Sequence, residues 1–143
     1  MTGIDAYLET RVLTATPEQL HLMVVDAAIR HARKGEEALK AQDREVAFFA
    51  LNKARACVDE LLTGLDDSHT PEVVENLKQL FLFVHRNLRL ADIQQDSALA
   101  GAGLKILEMH RETWLQLMQR LAEEGAASRP ASVSSGAGLS LEC

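Results

Sequence analysis

The apolar positions of the chain recur with a helical period along most of its length. The clearest case is Ala47, Leu51, Ala54, Val58, Leu61 and Leu65, which alternate spacings of four and three and so share one helix face. Asp43 is placed to cap this helix, and Gly64 with Asp66-Asp67 marks its end. Before it, Thr16-Pro17-Glu18-Gln19 opens another helix. The Thr is a cap, the Pro fits the first helical position, and the Gln closes a capping box. The stretch from Leu20 to Ile29 is then apolar everywhere except His21 and Asp26, which predicts burial on most sides. This helix turns polar at Arg30 and runs out near Gln42.

Thr70-Pro71-Glu72 repeats the cap-and-proline start. Val73, Leu77, Leu80, Val84, Leu88 and Ala91 form the main stripe of the helix that follows, and Val74, Phe81, Leu82 and Phe83 lie off it. Asp96-Ser97 caps a last helix. Its expected seam is Leu99, Gly103, Ile106, His110, Thr113 or Trp114, Leu117 and Leu121, with Gly125 as its end. The pattern predicts an all-α fold, an up-down antiparallel four-helix bundle over residues 16–124. Residues 1–15 form an N-terminal arm too apolar for a free tail and expected to dock on the body. Residues 125–143, rich in Ser and Gly, read as a disordered tail.

Composition narrows the function. The chain of 143 residues carries a formal net charge of −6, one Trp, one Tyr and no basic block, which argues against a nucleic-acid binder. No apolar run has the length of a membrane span, so no membrane insertion is expected. No signal peptide is recognisable, and the two cysteines, Cys57 and Cys143, form no CxxC pair, which suits a reducing cytoplasm.

Bundles often hold metals, and the di-iron pattern needs two Glu-x-x-His motifs. Glu18 and His21 make one, whereas the nearest second, Asp66 and His69, falls in a loop. No metal and no cofactor are expected; His21 reads as helix surface and His110 as a hydrogen-bonded core histidine. With no phosphate loop and no nucleophile beside a base, the chain is not expected to be an enzyme. What remains is apolar surplus: Leu22, Val25 and Ile29 on the first long helix, and Phe81, Leu82 and Phe83 on the third. Either both helices are simply central, or the surplus lines a groove for an amphipathic helix or extended peptide, which the arm could cover.

Several segments carry a resemblance. They include Ala6-Tyr7 followed by Thr14 to Leu20, Leu51-Asn-Lys53-Ala54 leading to Gly64-Leu65-Asp66, and Asn76-Leu77 followed by Phe81-Leu-Phe83-Val84 and Arg86-Asn-Leu88. Ala91-Asp92, Asp96 and the late Trp114 continue the order. Together, from about Ile4 to Leu121, they resemble the flagellin-specific export chaperone family, FliS. The resemblance implies a cytoplasmic chaperone that binds the disordered C-terminal segment of flagellin and prevents premature polymerisation. It implies delivery to the cytoplasmic domain of the flagellar export gate protein. The implied flagellin groove comprises Leu22, Val25, Ile29, Leu51, Ala54 and Phe81, continuing over Leu82, Phe83, His85, Leu88 and Asp92. Arm residues Ile4, Tyr7 and Leu8 are the implied gate-docking contacts. Phe81 and Phe83 stand where the family usually has tyrosines, and Asp92 where it usually has Asn. A free monomer is favoured over a homodimer. The competing expectation is a generic helical adaptor for another export or regulatory protein.

Overall fold

A computed structural model describes residues 3–65 and 70–128, with side chains through Ala126. Every regular element among the described residues is a helix: α1 (Gly3–Thr14), α2 (Pro17–Lys40), α3 (Arg44–Thr63), α4 (Pro71–Gln94) and α5 (Ser97–Ser128). The chain separates into two units at the Glu112–Thr113 boundary. The first holds α1 to α4 and the opening half of α5; the second holds the rest of α5.

The helix starts follow the predicted chemistry. Thr16 accepts from the Gln19 N–H at 3.1 Å, and the Gln19 side chain accepts from the Thr16 N–H at 2.9 Å, closing the capping box. Asp43 Oδ1 accepts from Val46 N–H, Thr70 caps α4 with Pro71 beside it, and Asp96 Oδ1 accepts from Ala98 N–H. Asp43 serves two helices. Its own N–H reaches back to the Ala38 carbonyl at 2.9 Å and ends α2 around Gln42, which takes a left-handed φ of 59°. One residue thus closes α2 and opens α3, which fixes a tight return between them. Gln95, with φ of 54°, makes the same kind of stop for α4.

In the first unit one apolar core lies among α2, α3, α4 and the opening half of α5. Val25, Ala28, Ile29 and Ala32 enter it from α2, and Ala47, Leu51, Ala54, Val58 and Leu61 from α3. Phe81, Val84, Leu88 and Ala91 enter from α4, and Ala100, Leu104 and Leu107 from α5. Alanines on the facing sides of α2 and α3 let these helices approach closely, and Gly35 lies at that approach. A Cβ on Gly35 would stand 2.5 Å from Leu51 Cδ2 and 2.7 Å from its Cγ. Leu51 is fully buried and has nowhere to turn. Gly35→Ala is therefore expected to destabilise the protein by about 1 kcal/mol. Overpacking costs about 1–3 kcal/mol, and that outweighs a helix-propensity gain of about 1 kcal/mol. Gly101→Ala should go the other way, because the added Cβ meets only the mobile carboxylate end of Glu36. Urea midpoints shifting in opposite directions with unchanged slopes would confirm both signs.

Three expectations are corrected. α1 is helical, but none of its residues is buried; Leu13 is 78% exposed, so the arm does not dock as its composition suggested. The inward face of α5 keeps Gly103 and His110 of the expected seam and adds Ala100, Leu104 and Leu107, whereas Leu99 and Ile106 are only partly covered and Leu117 and Leu121 are exposed. Helix α5 also runs through Gly125 to Ser128, since a glycine with open space around it is a weak stop without the left-handed turn that usually accompanies one. The remainder of the expected tail, residues 129–143, lies outside the described residues.

Candidate functional site

Helix α4 has two apolar faces. One enters the core through Phe81, Val84, Leu88 and Ala91. The other is exposed, with Leu82 and Phe83 at 43% and 46% exposure and Ile93 at 64%. Leu82, Arg86, Arg89 and Ile93 follow one another at helical spacing along this face, over roughly 17 Å at 1.5 Å per residue. Between them is a shallow, mainly apolar groove of about 460 Å³, lined by Leu82, His85, Arg86, Arg89 and Leu90. His85 is held across to α3 by Asp59, Nε2 to Oδ1 at 3.2 Å. The groove therefore has an apolar centre with two guanidinium groups on its edge.

The residues predicted for the groove separate in space. Leu82 and Phe83 are exposed; Leu22, His85 and Asp92 are half-buried. Val25, Ile29, Leu51, Ala54, Phe81 and Leu88 are buried core residues, of which Ile29 also lines a cleft with Asp26, Arg33 and Glu108. Ile4, Tyr7 and Leu8 are exposed on α1, where Arg11 sits 5.9 Å over the Tyr7 ring.

Beneath Phe81 is a polar contact within the core. His21 Nε2 and His110 Nε2 are 2.8 Å apart, so one ring donates and the other accepts. The His110 ring stands perpendicular to Phe81 at 5.1 Å between centroids. His21 is thus not the plain surface residue expected, because His110 and Phe81 draw it inward. Burial pushes the His110 imidazole down to about 4. The unfolded chain binds this proton near pH 6.5 and the folded chain does not, so stability falls as pH drops from about 6.5 to about 4. The expected loss is roughly 2–3 kcal/mol. It should appear as a pH slope in urea unfolding that the His110→Leu variant lacks; equal slopes would remove His110 as its source.

Among the described residues no three His, Cys, Asp or Glu side chains converge as metal ligands, and Asp66 and His69 lie outside those residues. Cys57 is a half-buried free thiol on α3, pushed up by burial. Sequence reasoning missed Phe48 and Phe49, exposed on α3 with their rings edge to face at 5.4 Å. The signal was present: both lie off the Ala47, Leu51, Ala54 stripe and so had to face outward.

The family profile described as "Flagellar protein FliS" matches residues 1–121. The chain belongs to the FliS family. The flagellar secretion chaperone FliS of Salmonella typhimurium is 30% identical over 121 residues, covering 81% of this chain and 90% of that protein. The flagellar secretion chaperone FliS of Bacillus subtilis is 26% identical over 114 residues, covering 80% and 84%. A crystal structure of a bacterial flagellar chaperone superposes with a TM-score of 0.68 at 16% identity, over 83% of this chain and 99% of that one. The last likeness concerns the fold. Membership places this FliS chain among chaperones of flagellum biogenesis. No helix among its described residues is long and apolar enough to cross a membrane.

Proposed function

We propose that this FliS family member binds the disordered C-terminal segment of flagellin in the cytoplasm, prevents its premature polymerisation and delivers it to the flagellar export gate. The observation that carries this reading is the second apolar face of α4. Leu82, Phe83 and Ile93 are presented to solvent on a helix whose opposite face already anchors the core. Such a stripe suits an amphipathic helix of a client, laid along it with apolar side chains at helical spacing. His85 and Asp92 border the face and offer polar contacts, and Leu22 is the one half-buried groove residue on α2. The buried residues Val25, Ile29, Leu51, Ala54, Phe81 and Leu88 support the bundle beneath it. The exposed side chains of Ile4, Tyr7 and Leu8 on α1 suit docking on the cytoplasmic domain of the gate protein. The free chaperone is a monomer in this reading, and chaperoning needs no catalysis.

The test is titration calorimetry with the C-terminal flagellin segment of the same organism. A one-to-one complex with a negative heat-capacity change is expected, because apolar surface is buried. No heat of binding from a protein shown to be folded would overturn the reading.

A further inference from the structure

The cleft between α2 and α3 differs in character from the α4 face. It has a volume of about 470 Å³. Arg30 and Lys34 line it from α2 and Lys53 from α3, with His31 between them. Val46 and Ala50 give it an apolar wall, Phe49 stands beside them at 56% exposure, and Glu45 is its one carboxylate. A cationic cleft is unexpected on a chain of net charge −6. Cations at the α2–α5 side of the same unit are neutralised by carboxylates: Arg33 meets Glu108 at 2.6 Å, and Arg111 meets Asp26. Arg30, Lys34 and Lys53 form no such pair among the described residues. Their field is felt inside the cleft. The His31 imidazole is held below its ordinary value, first by burial and then by Arg30, Lys53 and Lys34.

From this arrangement we infer that the α2–α3 cleft is a second docking surface, and that its occupant is an acidic amphipathic helix of a partner protein. Arg30 and Lys34 are one helical turn apart on α2, about 6 Å along the axis. Two carboxylates spaced i and i+4 on a docked helix meet them in register, while Lys53 waits on the opposite wall. An apolar side chain between those carboxylates lies on Phe49 and Val46. Charge supplies selection and on-rate, and the aromatic contact supplies the dry area that holds the complex. A nucleic-acid strand fits less well, because an acidic chain repels a long polyanion beyond the three cations. This surface is separate from the one assigned to flagellin, and the inference does not require that assignment.

The test uses the full chain and two fluorescein-labelled helical peptides in an alanine–glutamine background. One carries two glutamates a turn apart flanking a leucine; in the other both glutamates are glutamine. Anisotropy titrations at about 0.05 M salt should give the acidic peptide at least about tenfold the affinity, or about 1.4 kcal/mol. The advantage should shrink at about 0.5 M salt. It should vanish in Lys34→Glu/Lys53→Glu, with Lys34→Gln/Lys53→Gln as the milder variant should the reversal unfold the chain. Phe49→Ala should weaken both peptides. Equal affinity of the two peptides, or an unchanged acidic-peptide affinity in the charge-reversed chain, would overturn the inference. So would tighter binding of an oligonucleotide of equal charge. Flagellin segment titrated into the same charge-reversed chain should bind as it does to the parent. A matching loss there would merge the two surfaces and overturn their separation.

Discussion

Phe81→Ala is expected to lower stability by about 3–5 kcal/mol, the range for removing a fully buried aromatic ring from a core. Phe81 has no exposed surface, and its ring meets His110 edge to face at 5.1 Å and His21 at 6.1 Å. Truncation leaves a cavity beside the only buried histidine of the described core and strips the packing that turns His21 inward. For a chain of this length the melting temperature should fall by about 10–20 °C. Thermal unfolding followed by circular dichroism reads the effect directly. Phe81→Asp is a folding mutation for the same reason, because it buries an unpaired carboxylate. Phe81→Tyr separates the two roles further. A buried hydroxyl costs about 1–3 kcal/mol unless it finds a partner, whereas Phe83→Tyr, on the exposed face, should leave stability unchanged. An alanine variant that melts normally yet fails to bind client would return Phe81 to the binding surface.

The contrast between Phe81 and its neighbours shows where the sequence is legible. The α3 stripe from Ala47 to Leu61 could be read residue by residue, because the polar residues between Asn52 and Glu60 fix the phase of one face, and that phase extends back through the apolar run from Val46 to Leu51. The caps were legible for a similar reason, since Thr16 with Gln19, Asp43 and Thr70 each act on backbone within a turn. Phe81, Leu82, Phe83 and Val84 form an unbroken apolar run, which carries no period of its own. The phase of that run is set by the residues packed against it from other helices. The structure selects Phe81 and Val84 and leaves Leu82 and Phe83 outside. The same limit applies to α1, whose apolar residues suggested docking although each of them is exposed. It applies also to the pairing of His21 with His110, two residues 89 positions apart that only tertiary structure brings to 2.8 Å. Within the candidate site, then, residue type was readable and orientation was not.

Leu82→Glu with Phe83→Glu is expected to weaken flagellin-segment binding at least about 100-fold, or about 2.7 kcal/mol. Each side chain is a little under half exposed, so roughly half its apolar area is left for a client to cover. Full burial of such a side chain is worth roughly 1.5–3 kcal/mol, and the exposed halves of two of them together therefore contribute about 1.5–3 kcal/mol. Two carboxylates placed under an apolar client add a desolvation cost, partly relieved by Arg86 and Arg89 at the edge of the groove. Folding should hardly change, because both positions face solvent in mid-helix and Glu is a good helix former. Calorimetry of the double variant, beside a thermal melt within a few degrees of the parent, checks both halves. Binding retained within about threefold would move the client off the α4 face. For a client that is disordered before it binds, as proposed, the same loss takes a large share of the net affinity. The client's ordering cost of about 2–5 kcal/mol must first be met by the gross contact energy, leaving a thin net margin. A margin of that kind makes affinity depend on a few anchors, and under the proposed function it would let the loaded chaperone give up its client at the export gate.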